Sequence, residues 1–278
     1  MNKFETLKRY PINKHDQLQA WDASDELVIS EVGGRAVSKI LIVNDSFGAL
    51  ALGLEDRVTT SYSDSYVSTK AINLNTSKTT KLVSDLRRIG GDYDLIIIKL
   101  PKNLSFLEDI LIELTNSIEE GTPFIFSGMI KHMASGHFDL IAKYIGETTT
   151  SLAKKKARLI FAKYEKEKIQ NPYPISLEVP EWKVPLVNES NLFSREKLDI
   201  GTRFFLENIP TGNYETILDL GCANGIVGLM AKKKNPTSTI YFADESYMAI
   251  DSARTNYQAQ YNDDSADFIV DDCLSHNE

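Results

Sequence analysis

A strand-turn-helix pattern occurs twice in this chain, and this repeat constrains the fold more than any other feature. The first copy, KILIVNDSFGALAL, covers residues 39–52, and the second, ILDLGCANGIVGLM, covers residues 217–230. In each copy an apolar, β-prone run is followed by a short turn and then by small and apolar residues at helical spacing. Each continues into a second strand that ends in an acid, Asp64 or Asp244. We therefore predict an α/β protein with two tandem Rossmann-like domains that arose by internal duplication.

The boundary between these domains falls in a proline-rich segment. Residues 165–190, EKEKIQNPYPISLEVPEWKVPLVNES, hold four prolines among alternating apolar residues, which predicts a linker with one or two antiparallel strands. We divide the chain after Gln170, into residues 1–170 and 171–278. The first domain continues with the buried strand 95–100, the helix LEDILIELTNSIEE and the strand TPFIFSG. This alternation indicates a parallel sheet that is covered on both faces.

Composition limits the classes of function. No apolar run approaches the roughly 18 residues of a membrane-spanning helix, and the amino terminus lacks a signal-peptide core, so we expect a cytoplasmic protein with no membrane partner. Neither Cys222 and Cys273 nor His132 and His137 form a metal-binding pattern, and we predict no metal and no disulfide framework. The formal net charge of -8 argues against a general nucleic-acid coat, although it allows a local basic patch.

An acid that precedes the second glycine turn indicates the kind of ligand. The turn does not match the G-x-G-x-x-G pattern of dinucleotide sites, and Asp219 would repel a pyrophosphate. The D-x-G-x-x-x-G spacing of Asp219, Gly221 and Gly225 instead favours S-adenosylmethionine, whose sulfonium and amino groups tolerate a nearby carboxylate. Asp244 is positioned to accept both ribose hydroxyls, and Asp272 to accept from the adenine amino group. In the alternative interpretation, Asp219 caps the following helix and Asp244 caps its own.

Residues 191–205, NLFSREKLDIGTRFF, followed by LDLGCANGIVGL, resemble the ribosomal RNA guanine-N2 methyltransferase family. That family has VFSRxxLDxGxRFF before LDLGCGNGxxGL. The stretches LQAWDASDELVI, LIVNDSFGAL and TTTSLAKKKARLI are similar to its large-subunit members. The resemblance implies a class I methyltransferase fold and S-adenosylmethionine-dependent methylation of guanine N2 in large-subunit (23S) ribosomal RNA. A small-subunit ribosomal RNA substrate is the alternative within the family.

The cofactor-binding residues follow from the same motifs. They are Asp219, Gly221, Cys222, Asn224, Gly225, Asp244, Glu245, Asp272, Phe193 and Thr202, and we expect residues 193–202 to close over the methionine end. Ala223 stands where the family has glycine, and we expect this change to cost little because a methyl group can point away from the ligand.

The family's catalytic Asn-Pro-Pro-Phe turn follows the fourth strand of its methyltransferase domain. The present sequence shows only three strands of the second domain up to Glu278 and no such turn. We therefore expect an incomplete second domain, assign no catalytic residue, and expect residues 1–278 on their own not to methylate RNA.

The first copy lacks the features of a cofactor site. Ile42 and Asn44 stand where the second copy has Asp219 and Gly221, and we expect Asp64 to cap a helix. We predict that this degenerate domain docks ribosomal RNA through phosphate contacts. The predicted RNA contacts are Lys154, Lys155, Lys156 and Arg158, with Lys99 and Lys102 as further cations. The alternative is a solvated edge strand whose lysines prevent edge-to-edge pairing.

Two functions of other classes stay open. A nicotinamide-dependent oxidoreductase would use the glycine turn and Asp244, but Asp219 and the missing third glycine of the fingerprint argue against it. A protein that binds RNA or a nucleotide without catalysis would use the same surfaces. Cofactor binding and methyl transfer distinguish these functions.

Overall fold

The computed structural model describes residues 3–13, 15, 17–76, 80–179, 184–261 and 263–272. It divides the chain into two compact units, Met1–Asn171 and Pro172–Glu278. This division lies one residue beyond the predicted boundary, which follows Gln170. None of the described helices is long and apolar enough to cross a membrane.

The first unit is built from seven strands and five α-helices among the described residues. Its strands are β1 (Lys39–Val43), β2 (Val58–Tyr62), β3 (Lys81–Val83), β4 (Leu95–Lys99), β5 (Pro123–Met129), β6 (Thr149–Thr150) and β7 (Ala157–Lys163). Its helices are α1 (Ala23–Val32), α2 (Ala49–Gly53), α3 (Tyr66–Asn75), α4 (Leu104–Thr115) and α5 (Ser135–Tyr144).

The strands of the first unit form one sheet in the order β3-β2-β1-β4-β5-β7-β6. Strands β1 to β5 are parallel, and β7 runs antiparallel to β5 and β6. The central strands β1 and β4 are apolar and almost wholly buried, as expected for parallel strands with both faces covered. The strand order reverses between β1 and β4, which is where ligands bind in open α/β sheets.

The second unit repeats the first part of this arrangement. Its elements are β8 (Ile175–Val179), β9 (Val184–Asn188), α6 (Ile200–Glu207), β10 (Thr216–Leu220), α7 (Ile226–Lys234), β11 (Thr239–Asp244), α8 (Tyr247–Gln260) and β12 (Ala266–Val270). Strands β10, β11 and β12 form a parallel sheet in that order, and β8 pairs with β9 in an antiparallel hairpin. The hairpin corresponds to the antiparallel strands that the proline-rich segment predicted.

An aromatic cluster lies within the apolar core of the second unit. The rings of Phe242 and Phe268 are stacked at 5.1 Å, and Tyr257 meets Phe242 edge-on at 5.7 Å. Helix α7 packs closely on this cluster because Gly228 has no side chain. A Cβ atom at this position would lie 2.3 Å from Cε1 of Phe242. Gly228 therefore sets the distance between α7 and the sheet that positions the glycine turn.

One side of β10 is open among the described residues. Leu218 and Leu220 are 46% and 53% exposed, and they border an apolar groove of about 540 Å³ that Phe205 and Tyr214 also line. In the first unit, the corresponding side of β1 pairs with β4.

Candidate cofactor site

The turn between β10 and α7 is held against the end of β11. The backbone N–H groups of Gly221 and Cys222 both donate to the carbonyl of Ala243, at 2.8 and 3.1 Å, and Gly225 N donates to the Cys222 carbonyl at 2.8 Å. A Cβ atom on Gly221 would meet no atom within 4 Å. The backbone at Gly221 therefore borders open space, which a ligand can approach closely.

Three residues of this turn have left-handed backbone conformations, with φ of 73° at Gly221, 48° at Ala223 and 81° at Gly225. Two features require glycine at position 225. One is its left-handed backbone, and the other is the lack of space, since a Cβ atom there would lie 3.0 Å from the Cβ atom of Ala253. At Ala223 the left-handed conformation costs an L-residue about 1–2 kcal/mol. The expectation that alanine costs little here is therefore wrong, and the reason is the backbone rather than the direction of the methyl group.

Asp219 binds the amino-terminal turn of α7. Its Oδ2 accepts the N–H of Gly228 at 2.8 Å, and its side chain is buried. Burial raises the pKa of Asp219 to about 6, the bond from Gly228 lowers it, and the charge of Asp244 raises it. The contact is the helix-capping interaction that the alternative interpretation expected of this acid.

Asp244 joins the glycine turn to the start of α8. Its Oδ2 accepts from Ala223 N and its Oδ1 from Ser246 N, both at 3.0 Å. The N-cap of α8 is Ser246, whose hydroxyl accepts from Ala249 N. The alternative interpretation of Asp244 as the cap of its own helix is therefore wrong. Each carboxylate oxygen that accepts one N–H keeps capacity for a second donor.

The other predicted residues near this turn differ in burial and in the direction of their side chains. Cys222 is buried, and burial raises the pKa of its thiol well above the usual range, so the thiol stays protonated. Asn224 is also buried, and its side chain turns inward to Asn188 and Ile226 N. Glu245 is exposed beside Asp244.

Asp272 is buried just after β12, and Asp271 N donates to the Asp244 carbonyl at 3.0 Å. The contacts above thus bring Asp219, the glycine turn and Asp244 together, with the end of β12 beside them. Phe193, which is 72% exposed, and Thr202, whose N–H is capped by Asp199, take no part in these contacts. Cys273 lies outside the described residues.

The first unit has a turn of similar backbone conformation after β1, but its side chains differ from those of the turn after β10. Asn44 and Gly48 have φ of 64° and 85°, close to those of Gly221 and Gly225. Asp45 Oδ2 accepts from Ala51 N at 3.0 Å, which is the bond that Asp219 makes to its own helix. Burial raises the pKa of Asp45 to about 6. The carboxylate that bonds the helix therefore lies within the turn in the first unit, as Asp45, and within the strand in the second, as Asp219.

Lys99, at the end of β4, is part of a partly buried ion cluster in the first unit. Its ammonium pairs with Asp25 and lies 3.8 Å from Asp22. Burial acts to lower the pKa of Lys99, but the charges of Asp25, Asp22 and Asp45 together raise it. Lys99 was predicted as a further RNA contact, and this prediction is wrong because its charge is already neutralised. The N-cap of α3 is Ser65, so the capping role expected of Asp64 is also wrong.

The predicted RNA contacts lie at a tight hairpin. Lys154 and Ala157 exchange two backbone hydrogen bonds of 3.0 and 2.9 Å, and the residues between them, Lys155 and Lys156, have φ of 49° and 64°. Left-handed conformations at both central residues are typical of a type I′ turn. The three lysines are exposed and Arg158 is half-buried. Lys155 pairs with Glu26 at 2.7 Å.

Comparison with known families gives two matches along the chain. Residues 1–166 match the RLMG N-terminal domain, and residues 183–278 match the Methyltransferase small domain. The chain is 40% identical to the ribosomal RNA large subunit methyltransferase G of Psychromonas ingrahamii, covering 96% of this chain and 75% of that protein. The chain belongs to the ribosomal RNA large subunit methyltransferase G family. The methyltransferase G of Streptomyces coelicolor is 34% identical over 97% of this chain and 76% of that protein.

The fold of this methyltransferase G family member is shared with a solved structure. The 16S rRNA N2 methyltransferase RsmC of T. thermophilus, in complex with AdoMet and guanosine, aligns with a TM-score of 0.72 at 15% identity. The alignment covers 91% of this chain and 70% of that chain. The predicted class I methyltransferase fold is confirmed. The prediction of an S-adenosylmethionine-dependent ribosomal RNA methyltransferase is confirmed at the level of the methyltransferase G family.

Proposed function

We propose that the second unit binds S-adenosylmethionine at the carboxyl ends of β10, β11 and β12, for methylation of guanine N2 in large-subunit ribosomal RNA. The observation that carries this proposal is the open space beside Gly221, in a turn that follows the buried Asp219 and that the partly exposed Asp244 bonds through Ala223 N. A side chain at Gly221 would project into this space. The turn therefore fits a ligand that approaches its backbone.

Each residue then has a distinct part in binding. Asp244 accepts the ribose hydroxyls with the capacity that its two backbone bonds leave, and Asp272 accepts from the adenine amine. Asp219 holds α7 and supplies negative charge under the cationic end of the cofactor. Asn224 and Cys222 contribute through their backbone, because their side chains point into the fold. Residues 193–202 cover the methionine end.

The cofactor supplies an activated methyl group on a sulfonium. The guanine amine is a weak nucleophile because its lone pair is delocalised into the ring, so the rate depends on holding the two groups in line. The hydrogen-bonded turn and the acids around it provide one half of that alignment by fixing the cofactor.

The first unit docks the substrate RNA in this proposal. The exposed lysines at 154–156 and the partly exposed Arg158 provide positive charge for phosphate contacts, which position RNA without reading its sequence. Ribosomal RNA as substrate also implies a cytoplasmic protein. A small-subunit RNA substrate would give the same contacts, and comparison of the two RNAs as methyl acceptors distinguishes them.

Calorimetry with S-adenosylmethionine and with NAD tests the cofactor. Asp244→Asn removes charged acceptors and should weaken S-adenosylmethionine binding about 10- to 100-fold, from about 1.5–3 kcal/mol for a charged hydrogen bond. Asp267→Asn, an exposed change on the next strand, is the matched control and should leave the Kd within about twofold. Tighter binding of NAD, or equal losses in both variants, would overturn the proposal.

Filter binding of large-subunit ribosomal RNA over a salt series tests the docking surface. Replacing Lys154 and Lys156 by Ala should reduce the salt slope by about 0.7–0.9 for each phosphate group that a lysine no longer neutralises. Replacing the exposed Lys163 and Lys166, at the other end of β7 and just beyond it, is the control with the same change in charge. Equal slopes in the two double variants would contradict docking at the hairpin.

A further inference from the structure

Three buried asparagines link the glycine turn of the second unit to the segments on either side of it. Asn188, Asn224 and Asn256 are 0%, 7% and 1% exposed. They come from the end of β9, from the turn and from the middle of α8. Among them, only Asn224 was recognised from the sequence, since the other two lie in the stretches PLVNES and ARTNYQ, which match no motif.

Asn256 pairs with the backbone of β9 as a neighbouring strand would. Its Oδ1 accepts from Val187 N at 2.7 Å, and its Nδ2 donates to the Val187 carbonyl at 3.0 Å. The same Nδ2 donates to the backbone carbonyl of Asn224 at 2.9 Å. One side chain therefore fixes the end of β9 and the glycine turn to α8 at once.

Asn188 and Asn224 extend this network. Asn224 Nδ2 donates to Asn188 Oδ1 at 3.1 Å, and Asn224 Oδ1 accepts from Ile226 N at 3.2 Å, at the first residue of α7. Asn188 Nδ2 donates in turn to the carbonyl of Arg195 at 2.8 Å. The network thus reaches from the start of α7 to the segment that we propose covers the methionine end.

The turn needs such support because of its composition. Glycine backbones have more conformational freedom than others, and Ala223 is held in a left-handed conformation. The Ala243 carbonyl and Asp244 hold the turn from the side of β11. The asparagine network holds it from the side of α8, and a buried amide that is fully bonded restricts its neighbours to one arrangement.

We propose that Asn256 is a positioning residue for the cofactor, because it holds the glycine turn and β9 in the arrangement that the cofactor requires. This inference rests on the cofactor site proposed above. Asn256 does not contact the cofactor in this role and acts through the backbone of Asn224. Its loss should weaken cofactor binding more than an equal loss of stability elsewhere in the unit.

The chain provides a closely matched control in Asn235. This residue is 2% exposed, its Oδ1 accepts from Gly212 N at 2.9 Å, and its Nδ2 donates to the carbonyls of Pro210 and Ala231, both at 3.1 Å. It therefore makes one accepted and two donated backbone bonds, as Asn256 does. Asn235 lies just after α7, at the far end of the helix from the glycine turn, about 15 Å from Gly225 at 1.5 Å per residue.

The experiment compares Asn256→Ser with Asn235→Ser in residues 1–278. Both should lower the urea midpoint of unfolding to a similar extent. Calorimetry should show the Kd for S-adenosylmethionine raised about tenfold in Asn256→Ser and less than twofold in Asn235→Ser. Hydrogen exchange without cofactor should accelerate at the amides of residues 221–227 in Asn256→Ser alone. If that variant does not fold, Asn256→Gln and Asn235→Gln, which keep the amide but displace it by one methylene group, take the place of the two Ser variants with the same expected result.

Equal effects of the two substitutions on the Kd, or unchanged exchange at the turn in Asn256→Ser, would overturn the inference. Failure of the unsubstituted chain to bind S-adenosylmethionine would instead refute the proposed cofactor. In that case the exchange comparison still decides whether Asn256 holds the turn, since it is measured without cofactor.

Discussion

A buried carboxylate binds the first helix after the turn in both copies of the repeat. Asp219 lies within a strand and Asp45 lies within a turn, yet each accepts the N–H of the third residue of its helix, at 2.8 and 3.0 Å. The positive end of the helix dipole favours an acid at this place. The two copies therefore meet the same electrostatic requirement from different positions in the sequence.

These carboxylates predict how stability depends on pH. Burial raises the pKa of Asp219 from 3.8, the value for an unperturbed aspartate in the unfolded chain, to about 6 in the folded protein. Its contribution to stability is therefore fully present below pH 3.8 and is lost as pH rises through 6. Asp219→Asn should reduce the fall in unfolding free energy between pH 4 and pH 7 by about 2 kcal/mol. Asp45→Asn should act in the same direction. Urea unfolding at each pH measures this, and a steeper fall in Asp219→Asn would contradict it.

The left-handed backbone of Ala223 predicts that glycine at this position would stabilise the protein. Ala223→Gly relieves a left-handed conformation that costs about 1–2 kcal/mol, against a loss of about 0.4–1 kcal/mol from greater freedom of the unfolded chain. The free energy of unfolding should therefore rise by about 0.5–1 kcal/mol. Ala259→Gly, at an exposed position of α8, should lower it by about 1 kcal/mol. A loss of stability in both variants would contradict the assigned backbone conformation.

Residue types in the turn predicted a ligand site, but they did not predict the partners of each side chain. Asn224 bonds to Asn188, which lies 36 positions earlier, and Lys99 pairs with Asp25, 74 positions earlier. Such partners depend on which elements pack together, and no local pattern in the sequence encodes them. The inward direction of Asn224 and the neutralised charge of Lys99 therefore came only from the structure.

Among the secondary-structure elements, α6 and α7 are joined by Lys234, which binds backbone carbonyls at the end of α6. Lys234 Nζ, in the last turn of α7, donates to the carbonyls of Leu206, Glu207 and Ile209, at 3.0, 3.1 and 3.1 Å. These carbonyls lie at and just beyond the end of α6. The lysine therefore satisfies groups that the end of a helix leaves without partners inside that helix.

Lys234→Met should lower the free energy of unfolding by about 1–3 kcal/mol, because it removes charged hydrogen bonds that are partly buried. Lys233→Met changes an exposed neighbour with the same charge and should stay within about 0.5 kcal/mol. Urea unfolding of the two variants measures the difference. Equal stability would show that Lys234 does not hold the end of α6.

The elements themselves were largely predictable. Strands near 217–220, 239–243 and 267–270 were predicted from apolar runs, and β10, β11 and β12 confirm them. The hairpin at Lys155 and Lys156 was not predictable as a tight turn, since its central positions carry neither Asn nor Gly. Pairing with β5 and β6 fixes β7 on both sides and so determines the turn, whatever its own residues prefer.

At the scale of the whole molecule, the two copies have diverged at the same place in the fold. Both keep a left-handed turn, after β1 in the first unit and after β10 in the second. In the first unit, Lys99 and the acids around it form an ion cluster beside that turn, in a pocket of about 140 Å³. In the second unit, the space beside Gly221 is open. The replacements Ile42 and Asn44 already predicted the loss of one site, whereas the ion cluster required the structure.

The number of cofactor molecules bound per chain tests whether the second unit alone holds a cofactor site. Gly225 and Gly48 occupy equivalent positions, with φ of 81° and 85°, and a Cβ atom would lie 3.0 Å from Ala253 in one case and 3.2 Å from Ile72 in the other. Calorimetry should find one S-adenosylmethionine per chain, a Kd raised at least tenfold by Gly225→Ala, and a Kd unchanged within twofold by Gly48→Ala. Two molecules per chain, or an equal loss of affinity in Gly48→Ala, would contradict a single cofactor site in the second unit.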